Sequence, residues 1–142
     1  MYSILLQTHS ISRYFILILL IIVITKSLIG WLSQSNYQKI DKILLSVLTI
    51  FAHLQFVIGI VLYFISPWVV FNQYTMSNEL FRYWSVEHIF IMLLAIIFIS
   101  IPGISVKKLQ HNQKKYRRTF IWTLSALLLI LISLILSQRG IL

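Results

Sequence analysis

Four long apolar stretches, each broken by only a few polar residues, make up most of the chain. They fall at about 3–32, 43–66, 80–102 and 119–137, and each reaches the roughly 20 residues that a helix needs to cross a bilayer. Backbone groups in lipid must find hydrogen-bond partners within their own segment, so continuous helices are the expected form. The pattern predicts an all-α fold: an integral membrane four-helix bundle, up-down-up-down, forming a single domain over residues 1–142. The first stretch lacks a basic leading region and a small-residue cleavage site, and is expected to be a retained helix and not a signal peptide.

Local signals refine the ends. Pro67 in "ISPWVV" is expected to stop the second helix, because a proline pushes the residue before it out of the helical region. Ser77 or Asn78 can cap the third helix, with Glu79 in its first turn; a later start near Arg82 is the alternative. In the fourth stretch Thr119, Thr123, Ala126, Ile130, Ser133 and Ser137 recur in steps of four and three. That stripe of small residues is expected to be a helix-packing face.

Composition moves the picture firmly towards lipid. With 59% hydrophobic and 11% charged residues and a mean hydropathy of +0.91, the chain is not that of a soluble domain. It contains no cysteine, which excludes disulfides, thiolate metal sites and iron–sulfur clusters. The net charge of +9 is unevenly placed. Lys107, Lys108, Lys114, Lys115, Arg117 and Arg118 lie between stretches three and four, and Lys26, Lys39 and Lys42 near the link between one and two. Only Arg82 and Arg139 fall on the other side. By the positive-inside rule both termini are expected outside the cytoplasm. Short cytoplasmic loops routinely carry such runs, so no nucleic-acid partner is expected. Trp31 and Trp122 at one interface, with Trp68 and Trp84 at the other, fit aromatic belts.

A short list of polar residues remains inside the apolar stretches: His9 and Arg13, His53 and Gln55, Glu87 and His88. A charge at the bilayer centre costs roughly 2.5–3.5 kcal/mol or more, so such groups usually face the bundle interior and mark function. Simpler roles exist for several. Arg13 can snorkel towards the surface, His9 can be merely interfacial, Gln55 can hydrogen-bond between helices, and Met92 can fill the core. Counting from Ser3 and from Asn78 puts Arg13 and Glu87 at one depth, and an ion pair between them is expected. Glu87 can equally neutralise Arg82. His53 and His88 come within about 5 Å in depth at 1.5 Å per residue, with His9 higher; a third helix starting near Arg82 would instead level His88 with His9.

Imidazoles on different helices are the common axial ligands of haem iron in bundles. The depth count favours His53 and His88 as the iron ligands of a single b-type haem. Arg13, Arg82, Trp84 and His9 lie where propionates would need partners, and Gly59 can admit a close approach. The segments "HSISRY", "AHLQFVIGIVLYF" with "SP" two residues on, and "EHIFIMLLAI" resemble the landmarks of a family of short four-span bacterial inner-membrane proteins described as cytochrome-b-like. That resemblance covers nearly the whole chain. It implies haem b held by residues among His9, His53 and His88 and a place in the bacterial inner membrane. Redox work by such a cofactor would pass electrons between a quinone pool and a partner such as a respiratory membrane complex. The alternatives are a non-haem structural subunit or proton-linked carrier with a buried His/Arg/Glu network, and a divalent-metal site of His9, His53, His88 and Glu87. No phosphate loop, nucleophile elbow or HExxH motif is present.

Overall fold

The computed structural model describes residues 1–137. Among them the fold is all-α, without strands, and consists of four long helices. Helix α1 is Tyr2–Leu32 and α2 is Lys39–Ile65. The third, α3, runs over Glu79–Lys108 as one span in which the winding changes, and α4 is Asn112–Leu136. Each is long and apolar enough to cross a membrane. Arg139, assigned to the terminal side from sequence, lies outside the described residues.

The helix ends follow the local signals where those are strong. Asn78 caps α3, its side chain accepting from the N–H groups of Leu80 and Phe81 at 3.0 and 3.2 Å, so the earlier of the two expected starts is the one adopted. Helix α2 stops at Ile65, ahead of Pro67. Three boundaries differ from expectation. Helix α2 starts at Lys39 and not near 43. Helix α4 starts at Asn112 and not near 119, because its first turns carry Lys114, Lys115, Arg117 and Arg118, which hydropathy discounts but whose straight side chains suit a helix. Helical winding also passes through the buried Pro102 as far as Lys108.

Each helix packs against its neighbours in the chain, and α1 closes the ring against α4; neither diagonal pair is in extensive contact. The shared core is built from Ile16, Leu20, Val23, Leu48, Ala52, Ala95, Ile99, Ala126 and Ile130. The small-residue stripe of α4 is buried along its length, from Thr119 to Ser137. Outward positions such as Ile18, Ile22, Phe64, Ile97 and Ile135 are exposed and equally apolar. A helix hydrophobic all round belongs in lipid or in a core.

One end of the bundle, bearing the basic residues, is fastened by polar bonds. Asp41 is buried, receives Lys26 at 2.7 Å, and accepts from the Gln38 N–H at 2.8 Å and the Tyr116 hydroxyl at 2.9 Å. The same hydroxyl lies 2.9 Å from the Asn36 carbonyl. The Tyr116 ring sits directly over Gly30, where a Cβ would come within 2.5–2.7 Å of it. Tyr37 stacks edge-on against Tyr116, and burial raises its phenol pKa.

Candidate functional site

At the opposite end, which bears the first turns of α1 and the last of α4, the change of winding in α3 builds the site. After an α-helical turn at Glu79–Arg82, residues Tyr83–Glu87 adopt π-helical winding, and α geometry resumes at His88–Ser105. Five residues along an α-helix lie about 140° apart around the axis. In a π segment, whose hydrogen bonds run i to i+5, they lie nearly in line. Two such pairs meet here. Arg82 Nε bonds Glu87 Oε1 at 2.7 Å, and Tyr83 Oη lies 3.1 Å from His88 Nδ1. Isolated π turns are frequent at functional sites.

The surroundings of His88 are specific. Tyr83, buried between α3 and α4, donates to the Ser133 carbonyl at 2.8 Å and also touches Ser133 Oγ at 2.8 Å. Ser133 Oγ is 3.3 Å from His88 Nδ1. The Trp84 and His88 rings are 5.2 Å apart. The link between α2 and α3 is tied down alongside: Ser85 Oγ accepts from the Val70 N–H at 2.9 Å and donates to the Val70 carbonyl at 3.0 Å, while the Tyr63 hydroxyl donates to the Ser85 carbonyl at 2.6 Å.

His9 comes from the diagonally opposite helix. Its ring fills the niche left by Gly59, where a Cβ would lie 3.2 Å from His9 Cε1. Gln55 ties this corner together, donating to the His9 carbonyl at 2.7 Å and bonding the Ser12 hydroxyl. Gln55 therefore has the interhelical role expected of it. The Arg13 guanidinium bonds the Tyr14 hydroxyl at 2.9 Å and lies over that ring. His9 Nδ1 and Arg13 Nε are buried and have no hydrogen-bond partner among the described residues.

His9, Arg13, Gln55, Trp84 and His88 all line one largely apolar cleft, together with Met92, Ala95, Ile99 and Ile130 deeper in the bundle. The cleft has a volume of about 180 Å³.

Other residues proposed from sequence lie elsewhere. His53 is exposed on the outer face of α2, with Nδ1 2.7 Å from the Thr49 carbonyl one turn back, and it does not line the cleft. The expected Arg13–Glu87 ion pair is absent: Glu87 is taken by Arg82, which also donates to the Met76 carbonyl at 3.2 Å. The π winding explains this outcome, since it swings Arg82 into line with Glu87. A four-ligand divalent site is not assembled either, because His53 and Glu87 point away from the other two, and no cluster of three or more such groups occurs among the described residues. Tyr83 carries no signal in the sequence and Ser133 stands there only as part of the packing stripe; an ordinary helical count does not bring Tyr83 to His88.

The arrangement defines a class: a helical bundle of membrane-spanning length with two imidazoles on diagonal helices facing a shared apolar cleft. No protein-family model matches the chain, and no curated protein or solved structure is significantly similar to it.

Proposed function

We propose that the protein binds one haem b in this cleft, where His9 and His88 would hold it through imidazole nitrogens, and passes electrons within the bacterial inner membrane. The observation that carries the reading is the pairing itself. Two imidazoles from helices without extensive contact line a single apolar cleft, one of them with a buried nitrogen that no hydrogen bond satisfies among the described residues. A buried polar atom left without a partner costs about 1–3 kcal/mol, and coordination would remove that cost. Arg13, whose Nε is likewise unsatisfied, supplies the cation that a propionate needs. The donor set fits a haem with two nitrogen ligands.

When bound, haem b supplies a one-electron couple, and the protein tunes it through ligand, hydrogen bonds and burial. The residues have separable tasks. His88 is oriented by Tyr83 and Ser133, His9 by the Gly59 niche, and Ile99, Ile130 and Met92 exclude water from the deep end. A quinone of the lipid phase or a respiratory membrane complex is the partner such a centre would serve, with both termini on the non-cytoplasmic side.

The test is a reduced-minus-oxidised spectrum of protein purified from haem-replete cells. A six-coordinate b-type spectrum is expected in the wild type and in His53→Ala, and its loss is expected in His9→Ala and in His88→Ala. Retention of the normal spectrum in His9→Ala together with its loss in His53→Ala would restore the pair favoured by depth alone. A wild type that binds no haem would leave the non-haem subunit or carrier as the reading.

A further inference from the structure

Two contacts converge at His88 and a third closes a triangle with them, and the protons carried by its three groups can be counted. Tyr83 Oη, Ser133 Oγ and His88 Nδ1 form a triangle with sides of 2.8, 3.1 and 3.3 Å. Tyr83 is 4% exposed and Ser133 1%, so these two groups are shielded from bulk water, while His88 itself is half-buried on the cleft wall. A phenol carries one proton, a serine hydroxyl one, and each imidazole nitrogen one or none. The phenol proton is committed, because the Ser133 carbonyl at 2.8 Å can only accept.

That commitment leaves the triangle dependent on the serine and the imidazole. If Nδ1 were bare, the single serine proton would have to serve both the tyrosine and the histidine. The Tyr83–His88 contact at 3.1 Å would then set lone pair against lone pair. With a proton on Nδ1 every side is satisfied: the serine donates to Tyr83 Oη, and Nδ1–H donates to Tyr83 Oη and towards Ser133 Oγ. A neutral imidazole protonated at Nδ1 carries its lone pair on Nε2. The tautomer of a histidine is set by the bond its other nitrogen makes.

We infer that Tyr83 and Ser133 are positioning residues that hold His88 in the Nδ1–H tautomer and so make Nε2 its electron-donating nitrogen. This deepens the haem reading, on which only its functional meaning rests; the tautomer itself is a property of the bare protein. A hydrogen bond from the far nitrogen of a ligating imidazole fixes the ring and raises its basicity. The π segment is part of the device, because it brings Tyr83 into line with His88.

Nitrogen-15 NMR of histidine-labelled, haem-free protein in lipid nanodiscs at pH 8 reads the tautomer directly, with the His88 signals assigned by their loss in His88→Gln. The expected result is a protonated Nδ1 and a bare Nε2 in the wild type. In Tyr83→Phe, and independently in Ser133→Ala should the first variant fail to fold, a mixture of both tautomers is expected. A wild-type His88 protonated at Nε2, or at both nitrogens, would overturn the inference, as would an unchanged tautomer in both variants. In haem-loaded protein, Tyr83→Phe is expected to raise the midpoint potential while keeping the six-coordinate spectrum. The two readings fail separately. An Nδ1–H tautomer in a protein that never takes up haem removes the proposed function alone, whereas haem lost in His88→Ala combined with a wild-type Nε2–H tautomer removes this inference alone.

Discussion

At the scale of single residues, the tightest constraint sits away from the cleft, where Gly30 lies beneath the Tyr116 ring. The ring cannot easily move aside, since its hydroxyl is held by Asp41 and Asn36 and its side chain is enclosed. Gly30→Ala would place a methyl 2.5–2.7 Å from three ring carbons. It is expected to destabilise the fold by about 1–3 kcal/mol, the usual range for overpacking, measured as a lowered midpoint of thermal unfolding in detergent. Gly30→Ala unfolding at the wild-type midpoint would mean that the ring yields freely. Gly59, by contrast, needs only a few tenths of an ångström from His9 to accept a methyl. Neither glycine announces its partner in the sequence, because the partner belongs to another helix.

At the scale of elements, the π turn of α3 is a matter of phase. Arg82–Glu87 and Tyr83–His88 are joined at i,i+5, and in an α-helix the equivalent neighbours are i,i+4. Deleting the exposed Val86 therefore turns both into ordinary α-helical neighbours and is expected to leave the pairs and the fold in place. Inserting an alanine after Val86 rotates the preceding turn by about 100° relative to His88 and is expected to cost far more. Comparing the two melting midpoints checks this; a deletion variant less stable than the insertion variant would refute it. The same concern for phase explains what the sequence did and did not disclose. The α4 stripe from Thr119 to Ser137 could be read directly, because its spacing is that of a regular helix and no tertiary detail is needed. On α2 the buried and cleft-facing positions include Leu45, Leu48, Ala52, Gln55, Gly59 and Leu62, again in steps of three and four, with Phe56, Ile60 and Tyr63 widening that stripe along the cleft. His53 lies one residue, about 100°, off that line. Depth brought it level with His88, but rotation around the axis turned it outward. The π turn has no counterpart in the spacing, and so the contact of Tyr83 with His88 is out of reach of any count based on a regular helix, while Arg82 stands in the sequence only as one of two partners open to Glu87.

At the scale of the whole molecule, the cations gather at one end of the bundle and the cleft opens towards the other. Alkaline phosphatase fused after Leu142 is expected to be active, and fused after His111 inactive, since that enzyme folds only outside the cytoplasm. The opposite result would invert the topology that the charge asymmetry implies. The ring-like packing has one more consequence. Since α1 and α3 meet across the diagonal without extensive contact, the gap between His9 and His88 is gauged by the girth of the two helices that carry neither. Ala52 and Gly59 on α2, with Ala126 and Ser133 on α4, are the small shims in those walls. The bundle thus works as a calliper whose jaws are set from the sides, and a methylene added to a shim would open them without altering any residue that grips.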